Sequence, residues 1–434
     1  MSSETAEPTV LTTVVARHLC CGCGACVAAC PSEALTMEET PAGYVWAAAA
    51  EGHDCTHCGL CLRVCPSHGE RVTLPPADPA ESLPGPVRAG YWGRARNPQT
   101  CREGSSGGVV TALLTQWFEA GEIDAALVTR WSADNPLRAE GYWAHCPDDL
   151  KPSQKSKYCT LPLLSCLRPE SAGCPPPDSR IAVVGLPCQL QALRTLQAHV
   201  KLPRIVVTIG LFCDRVLSYH VVDELLDEAR VQPSMVEGFE YRHKGLRGWP
   251  GDVFVQPRGE DPRFLERSRR IRLKEYYTPT RCRLCPDKFN AVADLACGDA
   301  YGGPNETHGL SALLVRTQAG ETMLAMAGEA VELRPMEAEA FAKAHHTEDR
   351  PREVARFRKA YQALTATEPE DRVEGESSED SVYTDALRYS MLFESAGSAT
   401  EARALAQARQ AQAPPKSGKG GVRDLARKIM RLFR

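Results

Sequence analysis

Between residues 87 and 345, short apolar runs alternate with segments whose apolar positions recur every three to four residues. IDAALVTR (123–130), IAVVGL (181–186) and IVVTIGLFC (205–213) predict strands. SSGGVVTALLTQWFEAGE (105–122) and SYHVVDELLDEAR (218–230) predict helices. Strand-like and helix-like segments in alternation predict an α/β or α+β domain. EGFEYRHKGLRGWPGDVFVQ (237–256) instead predicts two strands around a basic, Gly-rich loop. Residues 1–19 read as a short tail or first strand. LPPADPAESLPGP (74–86) reads as a linker, and ATEPEDRVEGESSED (366–380) as a solvated acidic one. An Ala-rich helical stretch follows it.

The 434 residues carry 51 Lys and Arg against 55 Asp and Glu, a net charge of −4. That balance gives no footprint for nucleic acid. No apolar run is long enough to span a membrane, and the start MSSETAEPTV lacks a basic flank and apolar stretch. A cytoplasmic protein is the resulting expectation. Cysteine changes the picture. There are 19, an odd number in a long chain, which points to metal or redox chemistry rather than a disulfide scaffold.

Nine of the 19 fall between residues 20 and 66. Cys20, Cys23, Cys26 and Cys30, followed by Pro31, repeat as Cys55, Cys58, Cys61 and Cys65, followed by Pro66. Both runs match the bacterial ferredoxin pattern C-x2-C-x2-C-x3-C-P. Three thiolates two residues apart line a tight loop and hold three irons of one cubane, while the fourth points at the other cluster. The spacing therefore predicts one [4Fe-4S] cluster on Cys20, Cys23, Cys26 and Cys65, and a second on Cys55, Cys58, Cys61 and Cys30. Gly22, Gly24, Ala25 and Gly59 are expected to let the backbone pass close to the sulfides. Zinc would call for two C-x2-C pairs rather than two triplets. Cys21 is out of register and reads as a small packed residue.

A second cysteine set is weaker. Cys188 follows a strand, Cys213 ends one, and Cys282 and Cys285 form a C-x2-C pair. Ends of parallel strands are where open α/β sheets place ligands. A third cluster, a zinc site and a redox dithiol all fit this spacing. Gly104, Ser105, Ser106, Gly107 and Gly108 precede a predicted helix, which suits a phosphate at its N-terminus or simply a capped turn. Ser156, Lys157 and Tyr158 offer a cation and an aromatic face, or a solvated loop. Arg242, Lys244 and Arg247, beside Trp249, form a basic loop able to hold an anion. Asp299, after Gly298, contacts a ligand or caps a turn. At the C-terminus, residues 416–434 carry seven basic residues against the single Asp424, with Val422, Leu425, Ile429 and Leu432 at helical spacing. This is the pattern of a basic amphipathic helix that lies on an anionic membrane surface or an acidic partner.

EGSSGGVVTALL, SKY, VGLPCQ, IGLFC, YRHKGLRGWPG and RCRLCPDKFNAVADLACGD, in this order over residues 90–303, resemble the family of coenzyme F420 hydrogenase/dehydrogenase beta subunits. The ferredoxin-type stretch in front matches longer members, which include deazaflavin dehydrogenase subunits and chlorophyll-pigment reductases. The resemblance implies a two-[4Fe-4S] ferredoxin module over 1–75. It implies a mixed α/β flavin-binding domain in two parts, 84–180 and 181–345; the linker and tail read from composition over 366–434 follow them. It also implies FAD beside a third cluster on Cys188, Cys213, Cys282 and Cys285. The flavin site then falls on Gly104–108, Ser156, Lys157, Tyr158, Gly298 and Asp299, with a substrate near Arg242, Lys244 and Arg247. A flavin exchanges two electrons on one side for single electrons on the other, so it joins hydride chemistry to clusters. The function implied is an iron–sulfur flavoprotein oxidoreductase working between a redox partner (ferredoxin, a deazaflavin coenzyme or a partner subunit) and a substrate. The rivals are a ferredoxin-dependent reductase of an organic substrate and a non-catalytic electron-transfer subunit.

Overall fold

In a computed structural model of the chain, residues 8–68, 85–304, 306–366 and 378–412 are described. The tail read as a basic amphipathic helix lies outside them, as do most of the Pro-rich stretch and residues 367–377. Thirteen strands run in chain order as β1 (Leu35–Glu39), β2 (Val45–Ala49), β3 (Ala89–Ala95), β4 (Ala125–Trp131), β5 (Ala139–Ala144), β6 (Arg180–Gly185), β7 (Arg204–Leu211), β8 (Val236–His243), β9 (Asp252–Pro257), β10 (Arg263–Leu265), β11 (Leu295–Asp299), β12 (Ser311–Val315) and β13 (Val331–Pro335).

Eight of them form one mixed sheet in the order β13-β3-β12-β11-β7-β6-β4-β5. Its centre, β4, β6, β7 and β11, is parallel, and antiparallel strands close both sides. The apolar runs that predict strands are continuous because both faces are covered. Ala126 and Val128 of β4 and Ala182 and Val184 of β6 face the helices Val109–Glu119 and Gln318–Ala327, through Leu113, Trp117 and Met323. Their neighbours Leu127, Ile181 and Val183 face the helix Pro187–Gln197, through Leu190, Leu193 and Leu196. Side chains alternate between the two layers with the period of two that a strand imposes.

Several expectations shift at their edges. The helix predicted from 105 starts at Val109, because Gly108 takes a left-handed backbone (φ 73°) that ends the preceding loop. β7 stops at Leu211, where the Phe212 and Cys213 amides turn to the carbonyls of Cys297 and Lys288. Cys213 therefore lies two residues past the strand. Cys188 lies inside the first turn of its helix rather than before it. The N-terminal stretch forms a helical turn, Leu11–Val15, instead of a strand, with Val10 and Val14 both buried on one side. The segment read as a solvated linker to residue 380 gives way at Ser378 to a helix, Ser378–Glu394, whose Leu387 and Phe393 are buried.

The antiparallel hairpin β1–β2 carries the N-terminal module onto the sheet domain. Tyr44, Trp46 and Ala47 share a core with Leu217, Tyr219 and Val222. The Tyr44 hydroxyl donates to the Tyr277 carbonyl (3.1 Å), the Val45 amide to Thr160 Oγ1 (2.8 Å), and the Leu164 amide to the Cys23 carbonyl (2.9 Å). Strands β8, β9 and β10 make a separate antiparallel sheet.

One buried side chain organises the C-terminal ends of the parallel strands. Asn290 Nδ2 donates to the Gly185 carbonyl at the end of β6 (3.0 Å) and to the Leu211 carbonyl at the end of β7 (3.4 Å). A Cβ on Gly210 would stand 2.3 Å from Asn290 Cγ, so the strand needs glycine there. Asn290→Ala removes both donors and leaves two carbonyls unpaired, a cost of about 1–3 kcal/mol that a denaturant midpoint will read. Gly210→Ala, which drives a methyl into the same amide, should destabilise by about as much.

His345 closes the same end of the sheet. Its Nε2 donates to the Asp299 carbonyl (3.1 Å) and its ring packs on Phe341 (4.3 Å). Burial, reinforced by Lys288, pushes its titration down to about 4. The unfolded chain therefore takes up the proton first, and the stability held at neutral pH is lost as pH falls from the ordinary histidine value toward 4, by up to about 3 kcal/mol. Chemical denaturation between pH 7 and 5 should show a flatter loss in His345→Gln than in the parent chain.

Candidate redox site

Each ferredoxin-type loop ends in a left-handed glycine that starts a five-residue helix: Gly24 (φ 84°) before Ala25–Ala29 and Gly59 (φ 70°) before Leu60–Val64. The glycines have a second reason beyond room for sulfides. A Cβ on Gly22 would meet the Val45 carbonyl at 2.4 Å, and one on Gly24 the Ser165 amide at 2.7 Å. At Gly22 the loop is pressed against β2 of its own module, and at Gly24 against the sheet domain. At Gly59 the space is open and only the backbone angle selects glycine.

Cys65, from the second loop, lies with Cys20, Cys23 and Cys26 of the first, and the charges of these four act on one another. Cys61 feels Cys55 and Cys58. Cys30 ends the helix Ala25–Ala29, its sulfur 3.8 Å from Ser32 Oγ. Burial pushes the Cys20 and Cys65 thiols up to about 12. A thiolate persists at such a site only beside a strong positive charge, which bound iron supplies. Exposure is graded: Cys55 and Cys58 are exposed, Cys61 half-buried, and Cys20, Cys23, Cys26 and Cys65 buried.

The second cysteine set also comes together. Cys188 and Cys213 follow the C-terminal ends of the adjacent parallel strands β6 and β7. Cys282 and Cys285 reach the same place from the short helix Thr280–Arg283 and the turn after it. Arg350 holds that turn, donating to the carbonyls of Cys285 (2.9 Å) and Cys282 (2.7 Å). After burial, the largest effects on Cys213 come from Cys282 and Cys285, and Cys188 feels Cys213 and Cys285. Among the described residues, no three His, Cys, Asp or Glu side chains converge tightly enough for a single metal ion.

Cys21 differs from its expected packing role. Its side chain lies near Cys188 and Cys23, and their proximity lowers its thiol well below the ordinary value. It thus stands where the first cysteine group meets the second set. Cys166 meets Cys174, while no other cysteine acts on the burial-raised thiols of Cys101, Cys159 and Cys297.

The residues singled out for a flavin and a substrate fall around one place at the end of β11. Arg242 binds Asp299 with both terminal nitrogens (2.9 and 2.8 Å) and reaches the Tyr158 hydroxyl (3.4 Å), while Trp249 Nε1 donates to Asp299 (3.2 Å). Burial alone would raise the Asp299 carboxyl, but Arg242 holds it below the usual range. Ser156 bonds Ser105 (2.9 Å), Ser106 Oγ donates to the Leu310 carbonyl, and the Gly107 amide to Ser311 Oγ (2.9 Å). A Cβ on Gly298 would lie 2.1 Å from Phe212, so the strand end has no room for a side chain.

Three cations have other work. Lys157 Nζ is ringed by carbonyls, nearest those of Gln154 (2.7 Å) and Ser153 (2.9 Å), and acts as a loop staple. Lys244 Nζ is spent on the carbonyls of Cys101 (2.6 Å), Ser106 (2.8 Å) and His308 (2.6 Å), so it ties the basic loop to the Gly-rich one. Arg247 is half exposed and pairs with Asp252 (2.8 Å). A groove of about 600 Å³ opens alongside, lined by Glu103, Trp131, Lys155 and Phe239 among others, but not by Arg242 or Asp299.

Arg270 was not singled out from the sequence. It is buried, its Nε has no hydrogen-bond partner, and its guanidinium lies 4.9 Å from the centre of the Tyr158 ring. Its signal was the run RSRRIRLK (267–274), too basic for a helix that turns one arginine inward without a purpose. The helix Val109–Glu119 starts on Gly108 with no side-chain cap. An uncapped helix start and a buried guanidinium whose Nε has no partner both suit the phosphates of a dinucleotide such as FAD.

Among the described residues no helix is long and apolar enough to cross a membrane. Residues 19–68 match a 4Fe-4S dicluster domain. Residues 91–168 match the N-terminal part, and residues 178–339 the C-terminal part, of the beta subunit of coenzyme F420 hydrogenase/dehydrogenase. The chain is 29% identical over 327 residues to a coenzyme F420-dependent sulfite reductase of Methanocaldococcus jannaschii, covering 72% of this chain but only 46% of that one. It is 26% identical over 341 residues to one of the subunits of the F(420)H(2) dehydrogenase of Methanosarcina mazei, covering 75% of this chain and 87% of the relative. Its fold is similar to a chain in the xenon-derivatised F420-reducing [NiFe] hydrogenase complex of Methanosarcina barkeri, with a TM-score of 0.53 and 21% identity over 68% of this chain and 97% of that one. The chain belongs to the family of coenzyme F420 hydrogenase/dehydrogenase beta subunits, as an iron–sulfur member with a 4Fe-4S dicluster domain in front.

Proposed function

We propose that the chain is an electron-input unit. It takes electrons from a reduced deazaflavin coenzyme at a bound FAD and passes them through three [4Fe-4S] clusters to a partner protein. The observation that carries this reading is the run of cysteine groups from the surface inward. The group Cys55, Cys58 and Cys61 opens to solvent, Cys20, Cys23, Cys26 and Cys65 are buried, and Cys21 leads on to Cys188, Cys213, Cys282 and Cys285. Gly298 and Asp299 share a strand with Cys297, whose carbonyl anchors the backbone running into Cys213.

The flavin, when bound, exchanges a hydride's two electrons for single ones. The protein's residues do the rest. Arg270 and the amides at the start of the helix Val109–Glu119 bind phosphates. Arg242 is fixed by Asp299 and the Pro250 carbonyl and presents a positive face beside Tyr158. Lys244 and Lys157 hold the two loops in place. Neutral His345 keeps the Asp299 backbone anchored without adding charge. The relatives favour the deazaflavin as donor, since the sulfite reductase and the dehydrogenase are both named for it.

Three outcomes test this reading. Anaerobically purified chain should contain FAD and about twelve irons, and Cys285→Ser should lose about four of them while keeping the ferredoxin-type signals. Reduced coenzyme F420 should bleach the flavin rapidly; bleaching only by reduced ferredoxin would instead identify an inward-running reductase. Cys58→Ala should keep the flavin and its reduction by coenzyme F420 but cut electron delivery to an external acceptor protein at least tenfold. An unchanged delivery rate would remove the ferredoxin-type module from the route.

A further inference from the structure

Arg281 lies where the two halves of the protein meet. It immediately precedes Cys282, yet its guanidinium bonds the residues just after Cys65: Nε donates to Ser67 Oγ (2.7 Å) and a terminal nitrogen to the Pro66 carbonyl (3.4 Å). It is 5% exposed. Other buried guanidiniums nearby have acids: Arg242 has Asp299, Arg283 has Glu275 and Arg350 has Glu353. Among the described residues, Arg281 has no carboxylate within ion-pair distance. A cation buried without a counter-charge costs several kcal/mol, so the structure must neutralise it in another way.

Cysteines flank it on both sides: it directly precedes Cys282, and its bonds to Ser67 and Pro66 seat it beside Cys65. After burial, the effects on Arg281 come from Cys285, Cys21, Cys188 and Cys282. From the other side, Arg281 acts on Cys20 and Cys65. One guanidinium thus faces the buried ferredoxin-type group and the second cysteine set together. Each reduction adds a negative charge to a site already surrounded by sulfur ligands, and in a poorly solvated interior a fixed cation stabilises that added charge.

We propose that Arg281 is the shared counter-cation of the cluster on Cys20, Cys23, Cys26 and Cys65 and of the cluster on Cys188, Cys213, Cys282 and Cys285, raising the reduction potential of both. It is a positioning residue that tunes the two groups on either side of the module junction. The second half of this inference rests on the third cluster of the proposed function.

The test is a potentiometric titration of the whole anaerobic chain, followed by electron paramagnetic resonance, with iron counted on the same samples. In Arg281→Gln both junction clusters should move to more negative potential. At fixed ambient potential their reduced-to-oxidised ratio should fall at least tenfold, about 59 mV for a one-electron couple. The cluster of Cys55, Cys58, Cys61 and Cys30 should stay where it was. Arg281→Lys, which keeps the charge, should restore most of the shift. Ser67→Ala, which removes a hydrogen bond but no charge, should leave the potentials in place, whereas a merely structural staple would respond to both. Should Arg281→Gln fail to assemble, Ser67→Asp supplies the missing carboxylate beside an intact Arg281 and should give the same negative shift. Unchanged potentials at full iron content in these variants overturn the role of Arg281. About eight irons in the parent chain overturn the third cluster separately, leaving the effect on the first cluster to be read alone.

Discussion

Burying thiolates is the constraint on which the rest of this structure depends. Charged sulfur away from water is costly unless metal and fixed cations neutralise it. The fold gathers eight cysteines in two groups, four of them buried and four half-buried, from segments as distant in sequence as residues 20 and 285. It then surrounds them with Arg281 and Arg350, each anchored to backbone carbonyls or hydroxyls rather than left to solvent. The helices after residue 345, which lie beyond the matched family region, take part in this. Arg350 grips the C-x2-C turn, and Glu394 accepts from the Thr280 amide and hydroxyl directly in front of it.

The parallel sheet supplies the geometry. Strands that run the same way bring their C-terminal ends together, so the turns after β6, β7 and β11 share one edge. Cys188, Cys213 and Asp299 reach neighbouring positions from that single fact. Asn290 fixes the edge by bonding the last carbonyls of two strands, and Gly210 gives it room. The ferredoxin-type module presses onto the same end of the domain, with Gly24 against Ser165 and Gly43 against Ser218.

Much of this was legible in the sequence where the signal is local. The cysteine triplets fix loop chemistry by spacing alone, and the apolar runs 123–130, 181–186 and 205–213 mark strands of the sheet centre because both faces are buried. What depends on tertiary contact was not legible. Cys21 looked out of register because its partner, Cys188, is far along the chain. Lys157 and Lys244 looked like ligand cations because no sequence pattern announces a ring of carbonyl acceptors. Arg270 and Arg281 sit in basic runs whose other members are solvated or paired, and only burial without an acid separates them.

The proposed line of cysteine groups runs from the surface to the Asp299 edge. The most direct measurement mixes oxidised chain with reduced coenzyme F420 in an anaerobic stopped-flow instrument and follows flavin and iron–sulfur absorbance separately. The account predicts that the flavin signal falls first and the iron–sulfur signal follows, and that in Cys285→Ser the second phase slows at least tenfold while the first is unchanged. Iron–sulfur bleaching at the same rate in both chains would contradict it.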